Sequence, residues 1–186
     1  MTFSRKNPVR KQVNDYATVE NFRRVFAEDM NELYQLLLLL TADHQKAEQC
    51  FVAGLEAAVK ENHVFRDWAP SWAKRTIVQN AIRKLEPRPL ATSFSVAPPP
   101  YTVPLPSDQD RHFEVDAVLA LDDFERFVFV LSVLEHYSEH ECSLLLGWSP
   151  REIREARARS IAQLMNSRAA VSSSKVKVET VQELAR

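Results

Sequence analysis

Glycine is almost missing from this sequence: there are 2, Gly54 and Gly147, in 186 residues. Average usage would put roughly a dozen in a chain of this length. The shortage excludes several enzyme classes. A P-loop, a dinucleotide-binding fingerprint and a G-x-S-x-G elbow each need clustered glycines, because the backbone must approach a phosphate or turn sharply there. Long apolar runs are missing too. The leucine run Leu36 to Leu40 is far short of the about 20 apolar residues of a membrane span. The two cysteines, Cys50 and Cys142, are remote from each other and make no C-x-x-C, so a reduced, cytoplasmic protein is expected. Arg5, Lys6, Arg10 and Lys11 make the N-terminus basic, but no apolar stretch follows, so no secretory signal is expected.

What is present is an ordinary globular composition, 45% hydrophobic and 26% charged, enough to build a packed core. The net charge of -1 hides a strong local pattern. Lys and Arg outnumber acids 6 to 2 over Met1–Phe26, 5 to 1 over Ser71–Leu90 and 5 to 2 over Trp148–Arg168. Acids dominate 8 to 3 over Ala27–Pro70 and 8 to 1 over Phe113–Gly147. A phosphate-binding surface needs only a local positive patch, so this pattern keeps nucleic acid in view. The acidic stretches are read as solvated helix faces or as faces for a basic protein partner.

Proline divides the chain. Seven of the 10 prolines fall between Glu86 and Pro106. Each removes a backbone donor and pushes its predecessor out of the helical region. The expectation is an all-α protein of two small helical domains, residues 1–85 and 113–166. A Pro-rich linker, 86–112, joins them, and a loosely ordered tail, 167–186, follows. Apolar periodicity predicts helices at about Ala27–Leu40, Gln45–Lys60 and Ser71–Leu85, then Val115–Leu119 and Asp123–Leu134. Adjacent Asp122 and Asp123 are read as a helix start, not as an acid–base pair.

The most informative stretch is Glu139 to Ala158. Ser143, Gly147 and Ile153 have the spacing of a helix-turn-helix: a small residue for close approach, a glycine for the left-handed turn, and a branched aliphatic packing back. Ser149, Pro150 and Glu152 are a helix start with a capping box. Ile153, Ala156, Ser160 and Leu164 fall on the inner side at 3.6 residues per turn. Ser149, Arg151, Arg154, Glu155, Ala158 and Arg159 are left to meet DNA. The N-terminal residues of such a helix read base edges, so Arg151 and Arg154 are the expected readers, and Arg159 is expected on phosphate. The alternative is a purely structural helical hairpin.

On these residues the sequence resembles a known family. Leu121 to Leu164 is similar, without a gap, to region four of bacterial sigma factors of the extracytoplasmic-function type. The resemblance rests on Leu121, Arg126, Leu131, Leu134, Glu135, Ser138, Glu141, Leu146, Gly147, Ser149, Ile153 and Leu164. Leu33-Tyr34, the leucine run, Asp43 and Ala47-Glu48 resemble the start of region two, and Trp72, Lys74, Arg75 and Asn80 resemble its promoter-melting segment. The resemblance implies a transcription initiation factor that binds core RNA polymerase and promoter DNA. It implies that the helix carrying Glu48, Gln49 and Val52 meets the polymerase, and that region four reads the promoter. Gln49 and Val52 stand where the family usually has Asp and Gln. Arg157 stands where leucine is usual, and Ile161 where a basic residue is.

Trp72, Arg75, Gln79 and Arg83 share one side of the Ser71–Leu85 helix. An aromatic among cations suits single-stranded DNA, with rings on bases and cations on phosphates. The alternative is that Trp72 packs with Trp68 in the core. His136, His140 and Cys142 lack a fourth metal ligand, and neither metal nor cofactor is expected. The expected protein is a non-enzymatic sigma-like factor, without a membrane segment, with an anti-sigma protein as a further candidate partner. Two rivals remain: a stand-alone helix-turn-helix regulator, and a sigma mimic that occupies an anti-sigma protein. Gln49 and Val52 favour the mimic.

Overall fold

The structure, a computed structural model, describes the backbone of residues 16–60, 64–89 and 115–184, with side chains to residue 167. Thr18 opens the first helix. Its hydroxyl accepts from the Asn21 N–H at 3.3 Å, and the Asn21 side chain accepts from the Thr18 N–H at 2.9 Å. Helix α1 (Val19–Glu28) buries Phe22, Val25 and Phe26, one face at helical spacing. The chain breaks at Asp29 and restarts as α2 (Met30–Thr41). The helix expected over Ala27–Leu40 corresponds to α2, which starts three residues later, and α1 is an additional helix that the periodicity did not predict.

Helix α2 ends on Ala42, in the left-handed conformation at φ 51°. Asp43 then starts α3 (His44–Lys60) by accepting from the Lys46 N–H at 2.9 Å, and that backbone bond holds its carboxyl below the usual range. A 3-10 turn, Arg66–Trp68, leads into α4 (Ala69–Leu85), with Pro70 in its first turn, where no intrahelical donor is needed. Helices α3 and α4 approach closely at Gly54. A Cβ built there would stand 2.5 Å from Ile77 Cγ2 and 3.3 Å from Ile77 Cα. Gly54→Ala is expected to cost about 1–2 kcal/mol, as overpacking outweighs the gain in helix propensity. Urea unfolding checks this; a stabilised variant would mean that the helices shift apart freely.

The second half begins with α5 (Val115–Leu119) and α6 (Asp123–Phe129), the latter entered from Asp122. Every residue from Phe124 to Phe129 is buried, so α6 is enclosed on all sides. A π-helical turn, Val130–Leu134, continues it, closed by Glu135 N–H donating to Val130 O at 2.9 Å. His136 takes φ 59°, and α7 (Glu139–Leu146) starts from a Ser138–Glu141 capping box. Helix α8 (Pro150–Leu184) runs through the segment expected to be loosely ordered. No proline or glycine follows Pro150, so no residue after it breaks the helix.

The two halves touch. Arg126, 4% exposed, donates from Nε to Leu40 O on α2 at 3.1 Å, and from Nη1 to Leu121 O at 2.6 Å and to Leu119 O at 3.4 Å. It also pairs with Asp123. Lys74 on α4 pairs with Glu135 beyond the π turn. Buried side chains of both halves form one apolar core. The linker beyond residue 89 and the basic segment 1–15 lie outside the described residues.

Candidate nucleic-acid interface

The α7–turn–α8 unit is assembled by backbone chemistry that the sequence spells out. Gly147 caps α7 at φ 75°, and its N–H donates to Ser143 O at 2.9 Å. The Ser143 hydroxyl donates to Trp148 O at 2.6 Å, pinning the turn. Glu152 accepts from the Ser149 N–H at 2.9 Å and the Ser149 hydroxyl at 2.6 Å, and Glu152 N–H returns to Ser149 Oγ at 3.3 Å. The serine hydroxyl, followed by the serine N–H, holds the Glu152 carboxyl below its usual range. Ile153, Ala156, Ser160 and Leu164 are all buried, on the side the spacing assigns them, and Ile161 joins them. Cys142 is buried against them, and that burial pushes its thiol up to about 11. A thiol so protonated is a poor nucleophile and a poor metal ligand. His136 and His140 are exposed.

Ser149, Arg151 and Arg154 are exposed, and Glu155, Ala158 and Arg159 are half-buried. Each of the three arginines named from the sequence has a carboxylate partner. Arg151 Nε donates to Glu155 Oε1 at 2.8 Å within α8. Arg154 reaches across to α7, where Nη2 meets Glu139 Oε2 at 2.9 Å and Nε lies 3.2 and 3.3 Å from the two oxygens. Arg159 turns inward: its Nη2 and Nε lie 3.0 and 3.1 Å from Oε1 of Glu125 on α6. Glu125 is 4% exposed, and its Oε2 has no hydrogen-bond partner. Two acids that precede it, Glu139 and Glu125, thus fold back onto the basic stretch of α8. No pattern in the sequence pairs residues 15 or 34 positions apart, so these partners were missed.

On α4, Arg75 and Arg83 are exposed and Gln79 is half-buried. Trp72 packs against the core, with its indole N–H buried and without an acceptor. The exposed aromatics lie just upstream. Trp68 is 65% exposed, Tyr16 47% and Phe65 46%. Tyr16 stacks on Phe65 with ring centroids 5.1 Å apart, and Phe65 meets Trp68 edge-on at 5.7 Å. Ala17 N–H donates to Val64 O at 2.7 Å, which fastens the start of the described chain beside this cluster. The spacing within α4 pointed to Trp72; Tyr16 and Phe65 were missed because their contact joins segments 49 positions apart.

Glu48, Gln49 and Val52 are exposed together on one face of α3, with Val52 at 55%. Among the described residues, no three His, Cys, Asp or Glu side chains gather to hold a metal, and no helix is long and apolar enough to cross a membrane. No family model matches the sequence, and no curated protein is similar to it.

Proposed function

We propose that this protein is a sigma-like transcription initiation factor. In this reading it binds core RNA polymerase and directs it to promoters through the α7–turn–α8 unit. The observation that carries the reading is the left-handed Gly147 followed by the Ser149–Glu152 capping box. Together they launch α8 with Ile153 and Ala156 inward and Arg151 and Arg154 in solvent. A helix presented this way can enter the major groove with its first turns. The exposed Tyr16–Phe65–Trp68 cluster supports a second contact, with unpaired bases, since aromatic faces stack on any base. The exposed face of α3 at Glu48, Gln49 and Val52 is the surface this reading gives to the polymerase.

One observation favours a second reading, that of a sigma mimic occupying an anti-sigma protein. Arg151, Arg154 and Arg159 are each matched by a carboxylate, so the local positive excess at α8 is smaller than the sequence suggests. Run-off transcription with purified core polymerase and a promoter library separates the two. The initiation reading expects discrete transcripts that depend on this protein, and a several-fold weaker pull-down of core polymerase on Glu48→Lys. Absence of polymerase binding, together with tight binding to an anti-sigma protein, would establish the mimic.

A further inference from the structure

We infer that Glu139, on α7, is a positioning residue that sets the sequence preference of α8 by holding Arg154 for guanine. The inference rests on the DNA-binding reading above. A guanidinium has five N–H donors in a planar fork. The Glu139 carboxylate lies along the edge formed by Nε and Nη2, at 2.9 to 3.3 Å. That leaves both Nη1 hydrogens and one Nη2 hydrogen, the outer edge of the fork. Guanine offers two acceptors in the major groove, O6 and N7, and an arginine meets both with two parallel N–H groups. The edge that Glu139 leaves open is the edge this contact uses.

The pairing also differs in kind from its neighbour. Arg151 and Glu155 lie on the same helix, four residues apart, so their bond sets no direction relative to α7. Glu139 belongs to the preceding helix, 15 residues upstream, and stands in its first turn. The bond therefore fixes the Arg154 fork relative to the whole two-helix unit. A fork held before contact loses less freedom on binding than a free arginine, and it rejects bases that cannot offer two acceptors along the held direction. The same carboxylate carries negative charge toward the DNA, so it opposes non-specific attraction to phosphate. Selectivity is raised and general affinity lowered by one side chain.

The test is binding-site selection on the full chain, with non-specific duplex affinity measured in parallel, for wild type, Glu139→Ala, Glu139→Gln, Arg154→Ala and the double variant. Wild type is expected to prefer guanine at one position. Glu139→Ala should lose about tenfold of that preference at the same position that Arg154→Ala loses, while its non-specific affinity rises. Glu139→Gln, which still offers an oxygen, should keep part of the preference. The double variant should be no less selective than Arg154→Ala, because the glutamate acts through the arginine. An unchanged preference in Glu139→Ala, or a loss at a different position from Arg154→Ala, overturns the inference while leaving the DNA-binding reading intact. Duplex binding gained only on removing Glu139 overturns it as well, and makes the carboxylate a mask. Failure of every variant to bind duplex DNA overturns the DNA-binding reading itself.

Discussion

Arg159→Ala is expected to destabilise the protein by about 3–5 kcal/mol, although Arg159 lies on the helix that the proposed function places against DNA. The cause is its partner. Glu125 is 4% exposed inside α6, and Arg159 supplies the two N–H groups that its Oε1 accepts. Its Oε2 already has no partner. Removing the arginine leaves a buried carboxylate with nothing opposite it, and uncompensated buried charge is among the few single changes with so large a cost. For a chain of this size the melting temperature should fall by roughly 10 °C. Converting both residues to apolar ones, Glu125→Leu with Arg159→Met, should recover most of the loss, because the charge and its counter-charge leave together. A melting curve for each single variant and the double variant gives the coupling directly. If Arg159→Ala melts with wild type, the pair carries little stability and the arginine is available for phosphate.

Arg126→Met should cost about 3–5 kcal/mol for a different reason. Here the arginine serves backbone carbonyls. The last turn of a helix leaves carbonyls without intrahelical donors, and Arg126 supplies N–H groups to Leu40 O near the end of α2 and to Leu119 O and Leu121 O around the end of α5. Methionine fills much the same space and donates nothing. Three carbonyls then lose a donor, each at about 1–3 kcal/mol if buried, less what water recovers. Because Leu40 and Arg126 belong to opposite halves, cohesion between the halves should weaken along with overall stability. Urea unfolding followed in two single-tryptophan backgrounds, one keeping Trp72 in the first half and one keeping Trp148 in the second, should coincide with Arg126 present and separate in the variant. Coincident transitions at an unchanged midpoint would show that the halves hold together without this side chain.

Helix content and most helix positions were legible because they depend on short-range rules. The starts at Asp122 and Ser149, the turn at Gly147, and the inward set Ile153, Ala156, Ser160 and Leu164 are each written within a few residues of where they act. One helix was missed within that range. Helix α1 carries Phe22, Val25 and Phe26 among charged residues, and the helix expected from Ala27 started in its last turn.

The candidate interface was legible only in outline. The sequence alone determined that Ile153, Ala156, Ser160 and Leu164 of α8 face inward and that Arg151 and Arg154 do not, since the period of a helix divides inner from outer positions without reference to the rest of the molecule. It could not determine what those side chains meet. That Arg154 faces Glu139, that Arg159 turns in to Glu125, and that Arg126 joins α6 to α2 depend on how α6, α7 and α8 pack. Trp72 and Trp68 exchange roles for the same reason. Trp72 packs against the core, while Trp68, one turn earlier and before α4 begins, extends an aromatic surface begun by Tyr16 and Phe65. Hydrogen bonds and ring contacts act over a few ångströms in space, whatever the separation along the chain. Tertiary packing therefore decided which charges are spent inside the protein and which stay in solvent.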